Sequence, residues 1–142
     1  MHQPLPPPPP QPLRPTTADW RQAPVTPGDW NWSMESGRST ARFAGGMLVL
    51  RCDRAGTVTL IRAGAAAGPV PMTITTSSGA RTLSASPLPG SAPALAVTLE
   101  AGDPVLDAMI FSRGRFMVEA PGLAPIHIPS WPEIGRVVED CR

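Results

Sequence analysis

From Gly28 onward the chain alternates apolar and polar residues in short runs broken by turn residues, the pattern of antiparallel β structure. In "MLVLRCDRAGTVTLIR" a three-residue loop, Arg54-Ala55-Gly56, with glycine in the left-handed position, sets Cys52 opposite Val58 and Leu50 opposite Leu60. A four-residue loop would set those leucines against threonines, so the shorter loop is preferred. In "PMTITTSSGARTLSA" a turn at Ser78-Gly79 sets Ile74 opposite Leu83 and Met72 opposite Ala85. In "LDAMIFSRGRFMVEA" a turn at Arg113-Gly114 sets Phe111 opposite Phe116 and Met109 opposite Val118, a cross-strand ladder expected at the centre of the core.

Further strands are expected at "ALAVTLE", with Leu95, Val97 and Leu99 on one face, at "PIHIP", and across "WNWSMESGRSTARFA" with a break near Gly37. The fold class is therefore all-β, an antiparallel β-sandwich of about eight to ten short strands, preferred over a small barrel.

The end of the chain changes period. Ser130 followed three residues later by Glu133 has the spacing of a capping box, and Pro132 is tolerated in a first helical turn. Trp131, Ile134, Val137, Val138 and Cys141 then form an apolar stripe, with Glu133, Arg136, Glu139 and Asp140 at polar positions. One C-terminal α-helix over 130–141 is predicted, lying on the sheets.

Before Gly28 no apolar periodicity exists. Ten of the chain's 20 prolines fall in residues 1–27, which read as a disordered, proline-rich leader of polyproline II character. The domain proper is expected over 28–142. Pro9, Pro12 and Arg14 fit the P-x-x-P-x-R pattern of a ligand for an aromatic groove, although a spacer accounts for the same composition.

At 142 residues the chain has room for one core. Its formal net charge is +1, so no overall field recruits nucleic acid or an anionic membrane. All 12 cations are arginine, which resembles the coding bias of a GC-rich genome more than a phosphate-binding design. No apolar run reaches the ~18 residues of a membrane span. The start, "MHQPLPPPPPQPLRP", lacks the basic and apolar regions of a secretory signal. That leaves a cytosolic location or an export segment outside these residues.

The two cysteines bear on that choice. Cys52 and Cys141 each sit on the core side of an element, and a bridge would close a loop of about 90 residues, for which chain entropy gives about 4.5 kcal/mol. The alternative is a pair of unrelated reduced thiols. The bridge is the expectation, and with it an oxidising compartment.

Chemistry-bearing constellations are sparse. His127 has no Cys or His neighbour at ligand spacing and alternates with Ile126 and Ile128, so it is read as solvent-facing rather than as a zinc ligand. A triad of His127, Asp103 and a serine lacks a G-x-S-x-G elbow. Asp103 and Asp107 suggest a carboxylate pair for acid/base work or calcium, but Asp103-Pro104 reads instead as a turn before a strand. Catalytic, metal and cofactor residues are accordingly assigned to none.

The residues best suited to contact a ligand or partner are Arg113 and Arg115 at the tip of the expected central hairpin, and Trp30 and Trp32 on one face of their strand. For the tryptophans, burial in the core is the preferred reading. Arg51, Arg54 and Arg62 border a second hairpin, where they could serve to discourage edge pairing.

The stretches "LDAMIFSRGRFMVEAPG", "HIPSWPEIGRVVEDCR" and "MLVLRCDRAGTVTLIR" resemble a family of uncharacterised envelope proteins of alphaproteobacteria, over residues 28 to 142. A looser similarity of layout links the chain to the invasion-associated locus B type and to type VI secretion-associated periplasmic proteins. The resemblance implies export, often as a lipoprotein on a proline-rich tether, a β-sandwich closed by a C-terminal helix, and pairing of Cys52 with Cys141. It implies no activity. The expected function is a non-catalytic periplasmic or secreted module contacting an envelope protein or cell-wall component. A binding domain for a small anionic or carbohydrate ligand is the second reading, and a hydrolase with an unrecognised acidic site the third.

Overall fold

A computed structural model describes residues 3–7 and 19–142. Nine antiparallel strands account for most of the regular secondary structure: β1 (Trp30–Glu35), β2 (Arg38–Phe43), β3 (Leu48–Arg54), β4 (Thr57–Ala63), β5 (Val70–Thr76), β6 (Gly79–Leu88), β7 (Ala94–Glu100), β8 (Arg115–Glu119) and β9 (Ile126–Pro129). Two α-helices, α1 (Pro104–Ile110) and α2 (Pro132–Cys141), complete the body. The all-β class and the closing helix are as the alternation and the final apolar stripe predict.

The expected two-sheet sandwich is not confirmed. The strands follow one continuous order, β1-β2-β3-β4-β7-β6-β5-β8-β9. Strand β6 makes this possible: its first part pairs with β5, and Ser86, Pro87 and Leu88 pair with β7. The sheet curls until its ends approach, so that the Trp30 indole N–H on β1 donates to the Pro129 carbonyl on β9 at 2.9 Å. Inside the curl lie Phe43, Leu48, Leu50, Leu60, Met72, Ile74, Leu95, Phe116, Ile126 and Ile128, all essentially without solvent contact.

The register of β3 with β4 follows the alternation, with Cys52 opposite Val58 and Leu50 opposite Leu60. A bulge between Cys52 and Arg54 absorbs the odd residue, and Gly56 takes the left-handed turn position at φ 85°. The β5–β6 register differs from expectation. The turn is Ser77-Ser78, so Met72 faces Leu83 and Ile74 faces Arg81. Ser77 is held at the turn from outside: its N–H donates to Ser112 Oγ, and its own Oγ accepts from the Arg113 N–H, both at 3.0 Å.

The expected central hairpin is half helix. Residues Pro104–Ile110 form α1, capped by Asp103, whose carboxylate accepts the Val105 N–H at 2.9 Å. Phe111 therefore does not face Phe116, and Met109 reaches the core from a helix rather than opposite Val118. Helix α2 starts at Trp131 as its N-cap, without the Ser130–Glu133 capping box, and Trp131 is exposed. Its Ile134, Val137, Val138 and Cys141 are buried, chiefly on β2 and β3.

Packing also begins before Gly28. Trp20, in a single 3-10 turn over Asp19–Arg21, is buried, and Thr26 runs beside β9, its N–H donating to the His127 carbonyl at 2.9 Å. Residues 3–7 are exposed and carry no regular secondary structure. Pro9, Pro12 and Arg14 lie outside the described residues. No described helix is long and apolar enough to cross a membrane.

Candidate interaction surface

Sequence alternation brings Cys52 to the core face of β3, and the apolar stripe brings Cys141 to the core face of α2. The two are joined by a disulfide, with Cα atoms 5.4 Å apart and a sequence separation of 89. Polar contacts reinforce the same junction. The Gly56 N–H donates to the Cys141 carbonyl at 2.6 Å, and the Ala101 N–H to the Gly56 carbonyl at 2.9 Å. Arg142, the last residue, reaches the Ala101 carbonyl at 3.1 Å and Asp107 of α1 at 2.6 Å, which raises its pKa. The three elements β3–β4, α1 and α2 are thus locked at one point.

The four residues singled out for ligand contact are dispersed. Trp30 is a core residue at 4% exposure, in tilted contact with Phe43. Trp32 is half-buried in the seam between β1 and α2. Its indole N–H donates to Ser39 Oγ at 2.8 Å, and Ser39 donates in turn to Asp140 at 2.7 Å. The ring face is taken by Arg136, whose guanidinium carbon lies 4.0 Å from the ring centroid while its Nε pairs with Asp140 at 3.0 Å. Asp140 is held below the usual carboxylate range by the Ser39 hydroxyl first and then by Arg136. The two tryptophans therefore offer no stacking platform for a sugar. A shallow groove of about 190 Å³ remains beside them, lined by Trp32, Pro132, Glu133 and Arg136.

Arg115 and Arg113 part company as well. Arg115 turns toward the segment before β1, donating to the Trp20 carbonyl at 3.4 Å and to the Ala23 carbonyl. Arg113 stays exposed on the loop between α1 and β8, beside Phe111, which is 78% exposed. That loop is not loose. Ser112 is buried, donates to the Arg115 carbonyl at 2.5 Å and accepts from Ser77, while Ser77 accepts from the Arg113 N–H. An exposed aromatic ring and an exposed guanidinium thus project from a tip tied to two strands. Phe111 was missed in the sequence because pairing it with Phe116 satisfies the alternation.

His127 is half-buried rather than solvent-facing: Thr26 bonds both of its backbone groups, and its Nδ1 is buried without a hydrogen-bond partner. Burial, then the charge of Arg115, lowers its pKa, opposed by Glu119 and the Trp20 backbone. Asp103 and Asp107 serve separate partners, Arg81 and Arg142. Burial pushes Asp103 up, but Arg81 and the Val105 N–H outweigh it and leave the carboxyl below its ordinary value. Among the described residues no group of three His, Cys, Asp or Glu side chains has the arrangement of a metal site.

No family model, curated protein or solved structure matches this chain. The functional reading rests on its own residues.

Proposed function

We propose that this chain is a non-catalytic module of a bacterial cell envelope, working in an oxidising compartment, that holds an envelope protein or cell-wall component through the tip formed by Phe111 and Arg113. The observation that carries this reading is the tip itself. Partner-binding hot spots favour aromatic and arginine side chains held in place before binding, because ordering them on contact costs affinity. Phe111 leaves most of its ring in water, and the Ser77–Ser112 bonds fix the loop that bears it. The disulfide supports the compartment, since such bonds persist where thiols are not kept reduced.

The small-ligand reading draws less support, because Trp30 is buried, Trp32 is capped by Arg136 and Arg115 is spent on backbone carbonyls. The test is a photo-reactive phenylalanine analogue at position 111, in protein exported to a bacterial envelope, with the same analogue at Leu88 as control. The reading predicts one discrete adduct from position 111 that disappears in Arg113→Glu. No adduct, or the same adducts from both positions, would contradict it.

A further inference from the structure

Strand β1 ends the sheet, and its turn into β2 fixes the phase of its backbone groups. The β1–β2 turn has positive φ at both central residues, Ser36 (51°) and Gly37 (75°), so Glu35 and Arg38 form the closing hydrogen-bonded pair of a two-residue hairpin. Counting back by twos, Ser33 and Asn31 also bond to β2. The Ala44 N–H, which donates to the Asp29 carbonyl at 3.0 Å, carries the same phase one step further. Trp32 and Met34 therefore aim their N–H and C=O groups away from the sheet, and neither has a backbone partner among the described residues.

The opposite end of the sheet is treated differently. Thr26 takes both the carbonyl and the N–H of His127 on β9, at 2.9 Å each. Along β1 no lysine, proline or bulge blunts the edge, the usual devices against pairing. Two apolar side chains instead lie two residues apart on one face: Met34 at 56% exposure and the half-buried Trp32.

We infer that β1 pairs antiparallel with β1 of a second copy of this chain, about a two-fold axis through Ser33. This register has the correct phase, because it sets the outward-pointing Trp32 against the outward-pointing Met34 of the other copy, and the reverse, each pair exchanging two main-chain hydrogen bonds. It is self-complementary in side chains. Trp32 meets a methionine in both directions, a favourable sulfur–aromatic pairing, and Asn31 faces Glu35, so no like charges stand opposite. Trp32 is already fixed by Ser39 and Arg136, so little side-chain ordering accompanies the contact. The inference is independent of the Phe111 tip and of the compartment.

Sedimentation equilibrium on the full chain, with two variants, tests it. The mass should rise with concentration from 14.9 kDa toward twice that value. Met34→Pro, which removes an outward N–H and no internal hydrogen bond, should hold it at the monomer while leaving the thermal midpoint of a dilute sample in place. Ser33→Cys offers a check independent of that variant's folding. Residues facing across a non-hydrogen-bonded pair have Cα atoms about 4.5 Å apart, within reach of a disulfide. Air oxidation should therefore cross-link Ser33→Cys between copies many times faster than Asn31→Cys. A monomer mass throughout, or equal cross-linking at the two positions, overturns the inference. So does a chain that stays monomeric while an unrelated extended peptide adds to this edge.

Discussion

The peptide N–H of Gly56 donates to the carbonyl of Cys141 at 2.6 Å, beside the point where the Cys52–Cys141 bond crosses from strand to helix. A backbone hydrogen bond and a covalent bond thus hold the last turn of α2 to the tip of the β3–β4 hairpin. Hydrogen bonds alone add about 1 kcal/mol each, so the covalent link dominates the junction.

Reduction should therefore be costly. Chain-entropy reasoning for a native disulfide gives a loss of about 2–5 kcal/mol, and the long separation between these cysteines favours the upper half. Urea unfolding of the Cys52→Ala/Cys141→Ala double variant, against the oxidised chain, measures it directly. The expected midpoint is clearly lower, with a slope that is if anything steeper, because the unlinked unfolded chain exposes more surface; an unchanged midpoint would mean that packing of Ile134, Val137 and Val138 suffices by itself.

The seam between β1 and α2 hinges on Ser39. Its hydroxyl is buried, accepts the Trp32 indole N–H and donates to Asp140. Ser39→Ala leaves that indole N–H without its acceptor, and about 1–2 kcal/mol of stability should go with it. Trp32 fluorescence should shift to the red as the ring gains water. Equal stability and an unshifted spectrum would show that water replaces the hydroxyl at no loss.

Much of this architecture was legible in the residues. The β3–β4 register followed from Leu50, Cys52, Val58 and Leu60 keeping one face, with Gly56 supplying the turn. The bridge followed because Cys52 and Cys141 each ended an apolar pattern. Helix α1 was not legible in the same way, because "VLDAMIF" is too short to separate a 3.6 period from alternation. Asp103 followed by Pro104 was the available signal, a cap residue and a proline in the first turn. The Ser77-Ser78 turn depends on Ser112 and Arg113, distant in sequence, so local turn chemistry pointed to Ser78-Gly79 instead. The candidate tip was half legible: Arg113 was singled out, but Phe111 was assigned to the core.

Arg115 should act as a clamp on the segment before β1. It holds the carbonyls of Trp20 and Ala23, and Arg21 lies between them as a trypsin site. Arg115→Met keeps the aliphatic stem and deletes the donors. Tryptic cleavage after Arg21 should then accelerate severalfold, with cleavage after Arg62 unchanged. Equal rates at Arg21 would mean that Trp20 burial holds the segment without help.

The same segment should respond to acid through His127. Burial and Arg115 place its folded pKa below the unfolded value of about 6.5. The neutral form is therefore favoured by the fold: its contribution is complete above about pH 6.5 and is lost as pH falls from there toward the folded pKa. In an NMR titration the imidazole should titrate below about 6.5, and exchange of the Thr26 amide should quicken as it protonates. A His127 that titrates at or above the ordinary value, with Thr26 exchange following only the intrinsic pH dependence, would contradict this.

The most direct measurement is the state of the two sulfurs in protein recovered from an oxidising compartment. Alkylation of the unfolded, unreduced chain followed by peptide mapping should find neither thiol free and should recover one linked pair of peptides containing Cys52 and Cys141. Two alkylated cysteines in that material would remove the covalent pin on α2, and with it the principal support for placing this chain outside the cytoplasm.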